Sequence, residues 1–395
     1  SMRESSQRQG LLVEALDGIE TLKLNNAVNW VQRRWDGYTA SVARSSIRVK
    51  NTSNVIISFS TAIQQINTVL LVILGTYLIH SDDPHNRITM GALIAAVILS
   101  GRALAPLGQI ASLATRFQQA RLAMQGVNEI VRRPVERESQ THYLTVKDIQ
   151  GEFHFSAVTF FYKPELPAAL KGMSVCIRPG EKVGIIGTIG CGKSTLLKMM
   201  VGLYRQNKGQ ITLDGVAMQQ LDPCFVRDKV FLLEQNPRLF LGTLRENLQL
   251  SRLPGSLSDV DMINAAGRFG FDRFIRHHPC GLDMQIGEGG QGLSGGQRQM
   301  VALTRMVLGS PRVVLLDEPT TGLDLQTENI VLKGLNHWSR GRTMVVVTHR
   351  LQVLNIVDRI IVMNEGRVMM DGPRDEILKK LSGKQQSGES RAITS

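Results

Sequence analysis

Residues 183–200, VGIIGTIGCGKSTLLKMM, combine an apolar run, a loop with three glycines and an apolar helical pattern. This order predicts a strand, a loop and a helix in direct succession. The loop matches the pattern G-x-x-x-x-G-K-[ST]. Gly187, Gly190 and Gly192 allow backbone amides to surround a phosphate, and Lys193 supplies a positive charge. The stretch therefore predicts a phosphate-binding loop in an α/β domain.

A second stretch, RVVLLDEPTTGLD at 312–324, places two carboxylates directly after an apolar strand. The carboxyl ends of strands are where an open α/β sheet places its ligand chemistry. Asp317 is therefore the expected carboxylate for Mg²⁺, and Glu318 is the candidate base that polarises an attacking water. A strand that merely ends in an acidic turn would explain this stretch alone, but not its combination with the loop at 183–200.

A third stretch, GEGGQGLSGGQRQM at 287–300, precedes an amphipathic helical pattern. Backbone amides at such a helix start can approach a phosphate closely, and the helix dipole favours the negative charge. A glycine-rich turn that only caps a helix would have the same sequence. Taken alone, the stretch leaves both interpretations open.

The loop at 183–200, LSGGQ, LLDEP, GLD and VVVTHR follow one another in an order that resembles the ATP-binding cassette (ABC) ATPases. The resemblance implies a P-loop ABC nucleotide-binding domain that binds ATP and Mg²⁺ and hydrolyses ATP. It also implies a homodimer, in which two cassettes enclose two nucleotides head to tail. The residues implied to bind the partner's ATP in trans are Ser294, Gly295, Gly296 and Gln297.

The same resemblance implies roles for further residues. Nucleotide binding is expected at Tyr162, Gly187, Thr188, Ile189, Gly190, Cys191, Gly192, Lys193, Ser194 and Thr195. Catalytic roles are expected for Glu318, His349 and Gln235, and Mg²⁺ binding for Ser194, Gln235 and Asp317. Asp324 is expected to communicate between the two sites, and Glu288 to contact the coupling helices of the membrane domain.

Three positions leave alternatives open. Tyr162 matches the aromatic residue that stacks on adenine, with Phe161 as a rival. Glu234 stands where the family commonly has proline. Cys191 occupies a loop position often held by serine, and activity should survive this change because the side chain need not touch phosphate.

The N-terminal part has a different composition. From Asn51 to Ser81 no Asp, Glu, Lys or Arg occurs, a run of about 30 residues, which is enough for a helix to cross the hydrocarbon layer. A second apolar stretch at 90–114 is interrupted by Arg102 and Pro106. We therefore predict two spans, about 54–80 and 88–113, with a buried helical hairpin of a soluble protein as the alternative. Arg102 either faces a transport pathway or pairs with a neighbouring helix.

The charge distribution orients these spans. The segment before residue 51 is rich in Arg and Lys, whereas the connecting loop HSDDPHNRIT holds one Arg against two Asp. The positive-inside rule places this loop outside and both flanks in the cytoplasm. The net charge of +12 is spread along the chain without aromatic clusters, which argues against nucleic acid as a partner. Four cysteines without metal-ligand spacing indicate reduced thiols, with neither a disulfide framework nor a zinc site.

These features predict an α-helical transmembrane segment fused to an α/β ABC domain. Residues 1–135 resemble the C-terminal half of a six-helix exporter domain, 136–150 a linker, 151–383 the ATPase domain and 384–395 a disordered tail. In this resemblance EALDGIETLKLNNA extends the fourth helix, and NWVQRRWDGY at 29–38 contains the second coupling helix. We expect the first four helices to be missing from this chain, and the resemblance allows a peptidase-like domain before them.

The stretches RRPVERES, LKGMSVCIRPGEKVGIIG and RHHPCGLDMQIGEGGQGLSGGQRQ resemble the type I secretion ATPases of Gram-negative bacteria that export large adhesins and toxins. This implies ATP-driven export of a protein or peptide across the inner membrane, together with a periplasmic adaptor and an outer-membrane channel. The alternatives are an exporter of lipid, drug or small peptide, a non-transport ABC ATPase, and a catalytically silent subunit.

Overall fold

The computed structural model describes residues 2–80, 88–137, 143–144, 146–250 and 256–386. The chain divides into two compact units, Ser1–Pro134 and Val135–Ser395. Most of the loop expected between the two spans, part of the expected linker and residues 387–395 of the expected tail lie outside the described residues.

The first unit is helical. Its helices are α1 (Met2–Asp17), α2 (Ile19–Leu24), α3 (Val28–Ile79) and α4 (Met90–Val131). Residues 29–38, which the resemblance expects to contain the second coupling helix, form the first turns of α3. The separate short helix is α2, which a turn divides from α3. Asn26 lies in this turn with a φ of 51°, a left-handed conformation that asparagine tolerates better than most residues.

Apolar stretches occupy part of the two long helices. Ile57–Ile79 of α3 is long and apolar enough to cross a membrane, by length and composition. It lies within the first expected span, 54–80. In the second, 88–113, the described apolar stretch is the shorter Met90–Ala103, although α4 itself continues to Val131.

The second unit alternates strands and helices. Its N-terminal elements are β1 (Phe153–Phe160), β2 (Leu170–Ile177), β3 (Lys182–Gly187), α5 (Lys193–Met200), β4 (Lys208–Leu213), β5 (Val216–Ala217), α6 (Pro223–Lys229), β6 (Val230–Leu233), β7 (Gly242–Thr243) and α7 (Leu244–Leu248). The remaining elements are α8 (Asp259–Gly267), α9 (Asp272–His277), β8 (Gln285–Ile286), α10 (Gly295–Gly309), β9 (Val313–Asp317), α11 (Leu325–Trp338), β10 (Thr343–Val347), α12 (Leu351–Leu354), β11 (Arg359–Asn364), β12 (Arg367–Pro373) and α13 (Arg374–Gln386).

A six-stranded sheet forms the centre of this unit, in the order β12-β11-β3-β10-β9-β6. Its strands are parallel except for β12, which pairs antiparallel with β11 at the edge. The apolar runs KVGIIG, RVVLLDE, TMVVVTH and RIIVMNEG predict strands from the sequence, and the structure confirms them as β3, β9, β10 and β11. Because β3, β10 and β9 are parallel neighbours, their carboxyl ends meet at one edge of the sheet.

Two hydrophobic cores hold this sheet in place. Strand β9 is buried along its whole length, and its side chains alternate between the cores. Val314 and Leu316 join the core formed with α10 and α11, whereas Val313 and Leu315 join the core formed with α5 and β1. Each such side chain contributes about 1.5–3 kcal/mol on burial. The second core also contains residues of a four-stranded antiparallel sheet, β2-β1-β4-β5.

Candidate active site

The loop between β3 and α5 folds tightly around its lysine. The ammonium of Lys193 donates hydrogen bonds to the carbonyl oxygens of Gly187 and Thr188, both at 2.8 Å, and the residue is only 8% exposed. Gly192 has a φ of 98°, and a Cβ there would lie 2.4 Å from the carbonyl oxygen of Ala169. The backbone approach therefore requires glycine at this position. The buried thiol of Cys191 lies 3.7 Å from the lysine nitrogen.

The three residues expected to bind Mg²⁺ line one open cavity. It has a volume of about 230 Å³, and its walls include Ser194 of α5, Gln235 after β6 and Asp317 at the end of β9. A hydroxyl, a carboxamide oxygen and a carboxylate are oxygen donors, which suit Mg²⁺. Mg²⁺ sites of this kind use one or two carboxylates and complete their shell with phosphate oxygens and water. The residues present therefore fit the ion.

The electrostatics of the cavity depend on Asp317. Burial raises the pKa of its carboxyl above the ordinary value, opposed by a hydrogen bond from Ser194 and by the charge of Lys193. A nearby cation favours the ionised form of a buried carboxyl. Two further residues also line the cavity: Glu234, which stands where the family commonly has proline, and Lys198, which the sequence did not single out. Their charged groups lie 3.7 Å apart.

Glu318 follows β9 and is buried, with 4% exposure. Its φ of 48° lies in the left-handed region, which is strained for a non-glycine residue and common at functional sites. Its Oε2 accepts a hydrogen bond of 3.2 Å from the hydroxyl of Thr348. Its Oε1 lies 3.0 Å from Nε2 of His349, without hydrogen-bond geometry to any atom in the described part of the chain. One carboxylate oxygen is thus held by a hydrogen bond, and the other is buried beside the imidazole.

The pKa of Glu318 is raised, mainly because the carboxyl is buried. The positive charge of His349 when protonated and the hydrogen bond from Thr348 act in the opposite direction. The His349 side chain itself is 66% exposed at the end of β10. A base with a raised pKa beside an exposed imidazole is an arrangement suited to activating water.

Tyr162 lies just after β1 and close to the phosphate-binding loop. Its hydroxyl is 2.9 Å from the hydroxyl of Thr195 in α5, and its ring packs edge-on against Phe160 and Tyr204. The ring is half exposed and can offer a face to a base. The backbone amide of Phe161, the rival for this role, donates a hydrogen bond to the side chain of Asn207.

The stretch LSGGQ forms the start of α10. The hydroxyl of Ser294 accepts a hydrogen bond from the backbone of Gln297, whose side chain accepts one from Ser294 in return, which is a complete capping box. A Cβ on Gly296 would lie 2.9 Å from the carbonyl oxygen of Gly322. Glycine therefore allows the stretch GLD to approach α10 closely.

Two other expected residues have clear local surroundings. The carboxylate of Asp324 caps α11 by accepting hydrogen bonds from the amides of Gln326 and Thr327. These bonds lower the pKa of Asp324, with that of Thr327 the largest cause. Glu288 lies exposed in a short 3₁₀ turn before α10.

Two family profiles match separate parts of this chain. The profile described as ABC transporter matches residues 170–321, and the profile described as ABC transporter transmembrane region matches residues 1–103. The chain belongs to the ABC transporter family. It joins part of an ABC transporter transmembrane region to an ATP-binding ABC ATPase domain, which confirms the predicted fold class.

Curated relatives of this ABC transporter chain are named as toxin translocation ATP-binding proteins. It is 33% identical over 379 residues to the leukotoxin translocation ATP-binding protein LktB of Mannheimia glucosida, covering 96% of this chain and 52% of the relative. It is 32% identical over 378 residues to the toxin RTX-I translocation ATP-binding protein of Actinobacillus pleuropneumoniae, with the same coverages. The chain spans about half the length of the curated relatives it matches.

A solved structure shares the fold of this ABC transporter chain. The structure of a bacterial Atm1-family ABC exporter with ATP bound matches with a TM-score of 0.83 and 24% sequence identity. The match covers 98% of this chain and 67% of the solved chain. At this identity the likeness concerns the fold alone.

Proposed function

We propose that this chain is the ATP-hydrolysing part of a homodimeric ABC exporter. The observation that carries the proposal is the buried Glu318, whose Oε1 lies 3.0 Å from Nε2 of His349 at the sheet edge where the phosphate-binding loop begins. In this proposal Glu318 accepts the proton of the attacking water. His349 and Gln235 orient the water and the terminal phosphate.

The phosphate-binding loop has a separate role. Gly187, Gly190, Gly192 and the residues between them supply backbone amides, and Tyr162 stacks on the base. The ammonium of Lys193, which donates to loop carbonyls at 2.8 Å, moves its hydrogen bonds to the phosphates when nucleotide enters. Ser194, Gln235 and Asp317 would hold Mg²⁺, which supplies charge neutralisation on the phosphate oxygens.

The second copy of the chain completes the site. The capped N-terminus of the 15-residue helix α10 presents Ser294, Gly295 and Gly296 together with the positive end of a helix dipole. These groups would bind the terminal phosphate held by the partner, and Asp324 would connect the two sites. ATP then favours the closed dimer because it binds that state more tightly than the separated domains.

The transported substrate is proposed from the relatives. Since they are named for leukotoxin and RTX-I toxin translocation, we propose export of a protein or peptide in a type I secretion system. The chain would lie in the bacterial inner membrane with its ATPase domain in the cytoplasm and Glu288 facing the coupling helices. A periplasmic adaptor and an outer-membrane channel would be its partners. Export of lipid, drug or small peptide is the alternative; stimulation of ATP turnover by an unfolded toxin polypeptide, but not by phospholipid or drug, would distinguish them.

The test of the catalytic assignment is Glu318→Gln. The variant should bind ATP with unchanged affinity, lose turnover by about 10²–10⁴-fold, and accumulate closed dimers under Mg-ATP. Glu365→Gln, which alters an exposed carboxylate paired with Lys171, is the matched control and should hydrolyse ATP normally. Hydrolysis by Glu318→Gln at the rate of the unmodified chain would refute the assignment.

A further inference from the structure

Thr348, the residue before His349, makes contacts that the proposed function does not use. Thr348 follows β10 and is 1% exposed. Its hydroxyl lies 3.2 Å from Oε2 of Glu318 and 3.1 Å from the backbone nitrogen of Arg350. A hydroxyl carries one proton and two lone pairs. Since the amide of Arg350 donates to the oxygen, the hydroxyl proton is directed to the carboxylate of Glu318.

Backbone bonds fix the two ends of this contact. The amide of Glu318 donates to the carbonyl oxygen of Val347 at 2.9 Å, and the amide of Thr348 donates to that of Ile185 at 3.3 Å. Strand β10 therefore sets the distance between the glutamate and the threonine. The threonine hydroxyl in turn restrains rotation of the Glu318 side chain.

An ion pair holds Arg350, whose amide donates to the Thr348 hydroxyl. Nη1 of Arg350 lies 2.9 Å from Oε1 of Glu328 in α11, and the hydroxyl of Thr320 donates to the same oxygen at 2.8 Å. Glu328 is 2% exposed, so its charge needs these partners. Its backbone amide bonds to the carbonyl oxygen of Asp324 at 2.8 Å. The ion pair thus connects the segment after β10 to the start of α11.

We propose that Thr348 is a positioning residue for Glu318, and that the Arg350–Glu328 ion pair holds the Arg350 amide that orients the Thr348 hydroxyl. Holding Oε2 leaves Oε1 directed to the side where His349 lies, which is where the attacking water must bind. Without the hydroxyl, the carboxylate samples other rotamers and is productive for a smaller fraction of the time. This inference rests on the proposed role of Glu318 as the base.

The test compares Thr348→Val with Thr348→Ser in the whole protein. Valine keeps the shape of threonine and removes the hydroxyl, whereas serine keeps the hydroxyl. Thr348→Val should lower kcat by about tenfold to a hundredfold, the effect of losing one hydrogen bond to a charged group, with KM and ATP affinity unchanged. Thr348→Ser should retain most of the turnover. Equal turnover in the two variants, or a loss confined to KM, would overturn the proposal.

A double variant distinguishes failure of this proposal from failure of the base assignment on which it rests. In a Glu318→Gln background, Thr348→Val should cause no further loss, because both act through the same carboxylate. A normal rate in Glu318→Gln would instead show that the base assignment itself has failed.

The ion pair is tested by changing Arg350. Arg350→Met should lower kcat, and Arg350→Lys, which keeps the positive charge, should lower it less. If Arg350→Met and Thr348→Val lower kcat by independent, multiplicative factors, the shared positioning role is wrong.

Discussion

Asn247 in α7 anchors the segment that follows Gln235, and its removal should loosen that segment locally. The side chain is 2% exposed and makes four hydrogen bonds. Its Oδ1 accepts from the amide of Phe240 at 2.9 Å and from Arg305 at 2.8 Å, and its Nδ2 donates to the carbonyl oxygens of Phe240 at 2.8 Å and Thr243 at 3.0 Å. The side chain acts as a bridge between this segment and α10, which carries Arg305.

The cost of Asn247→Ala follows from these bonds. Four bonds at about 0.5–1.5 kcal/mol each bracket the loss of local stability at about 2–6 kcal/mol, and we take about 3 kcal/mol. The loss of a bond to Arg305 adds to this cost, because its guanidinium is a buried charge that needs its acceptors. Burial lowers the pKa of Arg305 to about 10. Its acceptors in the described part of the chain are the carbonyl oxygens of Arg238 and Asn247 and the Asn247 side chain. The substitution removes one of these acceptors.

Hydrogen exchange of the Phe240 amide measures this change directly. A loss of about 3 kcal/mol should speed exchange at Phe240 by roughly two orders of magnitude, since each 1.4 kcal/mol is tenfold. Asn207→Ala is the matched control, because Asn207 is exposed and its side chain accepts from one amide, that of Phe161, at 2.9 Å. That control should change exchange at Phe161 by less than about tenfold. An increase below tenfold at Phe240 in Asn247→Ala would refute the reasoning.

Two further predictions concern the phosphate-binding loop and the segment before β1. Lys193→Ala should weaken ATP binding by about 10–150-fold, the value of a charge-assisted hydrogen bond, in nucleotide titration by fluorescence; unaltered affinity would contradict the loop assignment. Glu136 is paired with Arg227, whose hydrogen bond lowers the pKa of the Glu136 carboxyl below its ordinary 4.5. Because the folded pKa is the lower one, this pair stabilises the fold above the unfolded pKa and loses its effect as pH falls through the folded pKa. Glu136→Gln should therefore lower the unfolding temperature near pH 7, by an amount equivalent to about 1 kcal/mol or less, and have no effect in strong acid; a difference that persists at low pH would contradict this pairing.

The elements of the ATPase domain could be read from local patterns. KVGIIG coincides with β3 over its whole length, and β9 and β10 lie within the apolar runs quoted from the sequence. The reason is that a strand buried on both faces must be apolar at every position, which leaves a continuous signal. The helical unit was less readable. Residues 29–38 continue α3 because nothing in their sequence ends a helix, whereas the turn at Asn26 depends on one residue with a positive φ.

Contacts between the motifs could not be predicted from the sequence. Thr348 and Arg350 carry no pattern of their own, and Glu328 is one acidic residue in an amphipathic helix. They matter because β10 lies between β3 and β9 in the sheet, although it follows both along the chain. Sheet order depends on the packing of distant segments, which local periodicity does not record.

Local sequence was enough to find the phosphate-binding and acidic motifs, their order and the strands that carry them, because these features depend on neighbouring residues. The folded domain alone places Oε1 of Glu318 3.0 Å from Nε2 of His349, restrains Oε2 through Thr348 and links Arg350 to Glu328. Such contacts form between residues that are far apart in the chain and adjacent only once the sheet is assembled. Their geometry is therefore a property of the packed domain.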